Sequence, residues 1–135
     1  MALLRNTTTD RIIATRVDRL SSFFQRAIGL LARSELRRDE GAWITRCNAI
    51  HTLGMRVPID VIFLDRHGRV VRVDSEVRPN RFALACRHAE AVIELGSGAL
   101  RESDVLLGDY LELIEPRVPT TWSDRTTVSS VPLRS

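Results

Sequence analysis

The chain contains no lysine: all 20 of its basic residues are arginine. That excludes Schiff-base chemistry, a pyridoxal-phosphate lysine and the lysine of a phosphate-binding P-loop, each of which needs a primary amine. Aromatic residues are scarce, at 5%, which leaves little material for stacking nucleic-acid bases. No apolar run approaches the roughly 18 residues of a membrane span. The stretch from Ala27 to Ala32 around Gly29 is far too short. The first 19 residues carry Asp10, Asp18 and the arginines at 5, 11, 16 and 19 in place of an apolar core and cleavage site, so they do not read as a secretory signal. Two cysteines, Cys47 and Cys86, are too few for a disulfide framework. Reduced, mostly buried thiols in a cytoplasmic protein are expected.

What is present is ordinary globular material. A length of 135 residues, with 44% apolar and 27% charged residues, fits one domain able to build a core without metals or staples. The net charge is +3, and the arginines run from Arg5 to Arg134 with only Arg37 and Arg38 adjacent. Glutamates and aspartates sit among them, which argues against a nucleic-acid partner.

Patterning places several short strands. Ala2–Arg5 and Arg11–Val17 flank the turn-prone Asn6-Thr7-Thr8-Thr9-Asp10. The period then changes. Leu20, Phe23, Phe24, Ala27, Ile28 and Leu31 form one stripe of an amphipathic helix, opened by the Ser22…Gln25 capping spacing. Ser34 to Gly41 reads as a loop, and Ala42 to Ile50 as extended chain. Leu53 to Pro58 is a connection built on Gly54. Ile59–Leu64 is nearly all apolar, a strand covered on both faces. Asp65-Arg66-His67-Gly68 turns it back into Arg69–Asp74 as a hairpin. Short strands at Phe82–Cys86 and Ala91–Leu95, a short helix at Ala99–Val105 and a last strand at Tyr110–Ile114 complete the domain. The remainder is rich in serine, threonine and proline and poor in apolar residues, a composition that does not build a core.

One polar constellation stands out. Asp60 shares a face with Ile62 and Leu64 at the start of a two-sided apolar strand, and a lone charge buried there costs several kcal/mol. Arg56 and His51 are the nearest candidate partners. On one reading His51 and Asp60 are an acid/base pair, with Arg56 holding an anionic substrate. On the other, Asp60 caps backbone groups and pins the preceding connection, with His51 and Thr52 completing its hydrogen bonds. Asn48, Thr52 and Arg56 are the candidate ligand-binding side chains. Cys47, His51, Cys86 and His88 lack the knuckle spacing of a zinc site. Gly96-Ser97-Gly98 is neither a phosphate loop nor a hydrolase elbow. No metal and no cofactor are therefore expected.

Taken in order, Gly29-Leu30-Leu31-Ala32-Arg33, Cys47-Asn48-Ala49-Ile50-His51-Thr52, Gly54-Met55-Arg56, Pro58-Ile59-Asp60-Val61 and Phe63-Leu64-Asp65 resemble domain-of-unknown-function family 192. Gly68, Leu95 with Gly98, and Gly108-Asp109 extend the likeness over Leu3 to Leu113. The resemblance implies a compact, mainly β domain with one helix packed on it, and brings no activity, cofactor or catalytic residue. The expected fold is mainly β (α+β): a single compact β-sandwich or barrel-like domain, residues 1–115, with one amphipathic helix packed on it and a flexible C-terminal tail, residues 116–135. The expected function is a non-enzymatic β-rich module that binds a small molecule or a protein partner. The alternative is a small enzyme acting on an anionic substrate through His51, Arg56 and Asp60.

Overall fold

A computed structural model describes residues 1–21, 36–81 and 84–116. The β-branched and aliphatic segments form nine strands: β1 Ala2–Asn6, β2 Arg11–Leu20, β3 Glu40–Thr45, β4 Ala49–Ile50, β5 Ile59–Leu64, β6 Val70–Val77, β7 Leu84–Ala85, β8 Ala91–Gly96 and β9 Leu111–Ile114. One short helix among the described residues, α1, spans Ala99–Ser103. Seven strands make one mixed sheet in the order β6-β5-β8-β3-β2-β1-β9. Every pair is antiparallel except β2 with β3. That parallel pair requires a crossover, which the residues between Leu20 and Glu40 supply. Gly41 lets β3 lie close to β8, because a Cβ there would stand 2.1 Å from the Glu94 carbonyl oxygen.

The two edge strands of the sheet meet. Arg69, just before β6, bridges Tyr110, just before β9. The Val70 N–H donates to the Asp109 carbonyl at 2.8 Å, and the Leu111 N–H to the Gly68 carbonyl at 2.9 Å. Closure into a barrel-like form covers edges that would otherwise offer unpaired backbone groups. Gly68 is doubly required at this seam: its φ is +82°, and a Cβ would stand 2.8 Å from the Leu111 carbonyl oxygen. In the same turn Asp65 Oδ1 accepts the N–H groups of His67 at 2.8 Å and Arg69 at 3.0 Å. Burial pushes the Asp65 carboxyl up, but those two N–H donors and the charges of His67 and Arg69 outweigh it and hold the group below its ordinary value.

β5 divides the core, as its unbroken apolar run implies. Ile62 and Leu64 face an interior built with Leu4, Val17, Ile93 and Leu111. Ile59, Val61 and Phe63 face outward into a second cluster with Ile50, Met55, Val77, Leu84 and Val92. The second cluster is roofed by a two-stranded ribbon in which β4 pairs antiparallel with β7. This ribbon and its flanking connections are where the sequence placed most of its candidate site residues.

Several boundaries differ from expectation. The loop expected over Ser34–Gly41 yields to β3 at Glu40, where pairing with Arg16 recruits polar residues into the ladder. The expected extended segment Ala42–Ile50 is split between β3 and β4 at Arg46, whose φ is +52°. The helix begun at Ala99 ends at Ser103 rather than Val105, because Asp104 turns left-handed and donates its N–H to the Leu100 carbonyl. The amphipathic helix expected from Leu20 to Leu31 falls almost wholly outside the described residues, and Leu20 itself closes β2. The tail beyond residue 116 also lies outside them. No helix of the described residues is long and apolar enough to cross a membrane.

Candidate functional site

Asp60 is 0% exposed and lies on the interior side of β5. Its Oδ1 accepts the Glu76 N–H at 2.8 Å. Its Oδ2 accepts the N–H groups of Gly98 at 3.1 Å and Leu100 at 2.9 Å. Glu76 has a φ of +51° close to a register shift between β5 and β6, so one N–H of that irregularity turns to the carboxylate. Gly98 has no side chain with which to cap α1. Asp60 takes over that role from another strand and satisfies N–H groups the first helical turn leaves orphaned. All three partners are backbone groups; His51 and Arg56 are not among them.

The connection from β4 to β5 is held by Thr52 instead. Thr52 is 1% exposed. Its hydroxyl donates to the Arg78 carbonyl at 2.7 Å and accepts the Arg81 N–H at 2.7 Å. Its backbone N–H donates to the Arg81 carbonyl, and its carbonyl accepts the Asn80 N–H. Asn80 completes the knot by accepting the Gly54 N–H on Oδ1 at 3.0 Å. The turn Arg78-Pro79-Asn80-Arg81 is thereby locked against the loop carrying Arg56. His51 is half-buried beside this knot, and its Nδ1 accepts the Leu53 N–H at 3.2 Å. Asn48 lies at the other end of the ribbon, exposed, with its carbonyl taking the Cys86 N–H at 2.9 Å. The structure thus brings Thr52, His51 and Arg56 to one end of the ribbon, sets Asn48 at the other, and puts Asp60 in the separate backbone network described above.

Four arginines that the sequence did not single out, at 46, 78, 81 and 87, join Arg56 on this surface. The two segments 46–58 and 78–90 carry five arginines, at 46, 56, 78, 81 and 87, against one acid, Glu90. They hold a net charge of +4 in a chain of +3, which leaves −1 for everything else. All five arginines are exposed. None of the five forms an ion pair with a described residue. By contrast Arg5, Arg11, Arg19, Arg37, Arg38 and Arg101 each sit against a carboxylate. Along the chain the arginines look dispersed; the antiparallel β4–β7 register gathers five of the eight described arginines that have no ion pair with a described residue, the others being Arg16, Arg66 and Arg69. The available signal was the run from Arg78 to Glu90, three arginines with one acid.

The ribbon offers an open surface. A cleft of about 280 Å³ at its Asn48 end is lined by Arg46, Cys47, Asn48, Ala89 and Glu90. Both cysteines are half-buried and not joined in a disulfide, on the ribbon's flanks, and less covered than the sequence suggested. Among the described residues no three His, Cys, Asp or Glu side chains converge as a metal site. An exposed, guanidinium-rich surface can bind carboxylates or phosphates in bidentate fashion.

Comparison with known proteins follows the same segments. The family model described as Uncharacterized ACR, DUF192, matches residues 4–113. A UPF0127 protein of Pyrococcus furiosus is 34% identical over 112 residues, which is 79% of this chain and 94% of that protein. A protein of unknown function from Novosphingobium aromaticivorans superposes with a TM-score of 0.69 at 22% identity, covering 82% of each chain. A Sinorhizobium meliloti protein described as a candidate transcription regulator superposes with a TM-score of 0.69 at 23% identity, covering 83% of this chain and 91% of that one. At such identities the two structures share the fold with this chain.

Proposed function

The chain belongs to the DUF192 family, and from that premise we propose that it is a non-enzymatic binding module whose ligand face is the β4–β7 ribbon and whose ligand is anionic. The observation that carries this reading is the set of five exposed arginines, on two stitched segments, that form no ion pair with a described residue. Arg56, Arg78 and Arg81 form its anchor, because Thr52 fixes the backbones of Arg78 and Arg81, and the Gly54–Asn80 bond ties in the loop that carries Arg56, before any ligand arrives. Asp60 then serves the fold and not the ligand. Cys47 and Cys86, not joined in a disulfide, fit a cytoplasmic setting. A protein or small-molecule partner is favoured over nucleic acid, since Phe82 is the single Phe, Tyr or Trp in these two segments and stacking platforms are lacking.

The test is a ¹H–¹⁵N NMR titration with citrate at low ionic strength. Amide shifts confined to residues 46–58 and 78–90, abolished by R56Q/R78Q/R81Q, are the expected result. Shifts spread evenly over the surface, or shifts that persist in the triple variant, would overturn the assignment.

A further inference from the structure

We propose that the natural occupant of the ribbon is an extended acidic segment of a partner polypeptide that touches both ends of the ribbon at once. This rests on the preceding reading that the ribbon is the ligand face.

The arginines fall into two groups. Arg56, Arg78 and Arg81 gather at the Thr52–Asn80 knot. Arg46 and Arg87 flank the opposite end, where the Cys47 N–H donates to the Glu90 carbonyl and the Cys86 N–H to the Asn48 carbonyl. The stitched stretch runs from Asn48, whose carbonyl takes the Cys86 N–H, to Thr52, whose N–H donates to the Arg81 carbonyl. Four steps at about 3.3 Å per extended residue put its two ends roughly 13 Å apart. A single carboxylate or phosphate can occupy one group only.

An extended polypeptide has the matching repeat. Alternate side chains recur every ~6.6 Å on one face, so about five residues span the stitched stretch and present three carboxylates to it. Between the two groups the ribbon exposes Ala49 and Ala85, small side chains that leave room for another backbone. The cleft at the Arg46 end, about 280 Å³, is open and shares its wall with Glu90. Charge complementarity selects the partner's sign: the ribbon is net +4, and the rest of the chain is net −1. An arginine surface whose two segments carry a single Phe, Tyr or Trp favours carboxylates on a flexible chain over nucleotides.

The experiment compares a blocked, glutamate-rich octapeptide with a blocked tri-glutamate by fluorescence anisotropy, on the wild-type chain and on R46Q/R87Q. Engaging both groups makes the second contact intramolecular, so the octapeptide should bind at least about tenfold more tightly than the tripeptide. R46Q/R87Q should erase that advantage, leaving the octapeptide no tighter than the tripeptide. An octapeptide advantage that survives R46Q/R87Q, or no advantage at all, overturns the two-ended segment while citrate binding still upholds the ligand face. A single-stranded DNA oligomer of equal charge that binds more tightly than the octapeptide also overturns the acidic-polypeptide assignment. Failure of citrate and both peptides together sinks the ligand face itself.

Discussion

Replacing Asp60 separates a carboxylate that builds the fold from one that serves a ligand. It is 0% exposed and accepts three backbone N–H groups, from Glu76, Gly98 and Leu100. Asp60→Ala leaves three part-buried donors without their acceptor. At about 1–3 kcal/mol for each unsatisfied group, and with partial entry of water, the loss is roughly 3–6 kcal/mol. That is a large share of the 5–15 kcal/mol that typically separates folded from unfolded domains. Asp60→Asn keeps the shape but loses the charge, and its NH₂ must face at least one N–H donor, so about 2–3 kcal/mol should be lost. Urea unfolding followed by circular dichroism measures both. The reasoning is refuted if Asp60→Asn costs under about 1 kcal/mol and citrate binding disappears with it, because Asp60 would then belong to a site with His51 and Arg56.

Other consequences follow from the same contacts. Thr52→Val removes a hydroxyl that donates to Arg78 and accepts from Arg81; a loss of roughly 2–4 kcal/mol and weaker citrate binding are expected, with Thr52→Ser restoring both in the same melts and titrations. The depressed Asp65 carboxyl contributes stability that is present above its unfolded pKa of about 3.9 and is lost as pH falls through the lower folded value. Asp65→Asn should therefore narrow the difference in urea midpoint between about pH 6 and about pH 3, and an unchanged difference would remove Asp65 from the account. Because β9 ends at Ile114, truncation after Arg117 should leave the Tm within about 5 °C of the full chain, and a larger fall would make the tail part of the fold.

What could be read directly was local. The apolar run of β5 gives a strand covered on both faces, and Ile62 and Leu64 separate from Val61 and Phe63 as strict alternation requires. The Asp65–Gly68 turn follows from its own side chains, with Asp65 holding the backbone and Gly68 taking the left-handed position. What could not be read depends on partners far along the chain. The backbone groups that Asp60 binds lie 16, 38 and 40 residues away, so proximity in sequence pointed to His51 and Arg56 instead. β4 and β7 are two residues each, too short to show any period. The arginine surface exists only once their register is known. Parallel pairing of β2 with β3 likewise leaves no periodic signature, because it is decided by the crossover and not by either strand.

The central claim is that position on the ribbon, and not net charge, determines anion binding. It is tested most directly by comparing two variants of equal charge for binding of the labelled acidic octapeptide. One is R56Q/R78Q/R81Q on the ribbon. The other is R11Q/R19Q/R101Q, whose arginines are already paired with Asp104, Glu115 and Glu76. The account predicts that the ribbon variant loses binding by at least about tenfold while the distant variant stays within about twofold of the wild-type chain. Equal losses in the two variants would contradict it.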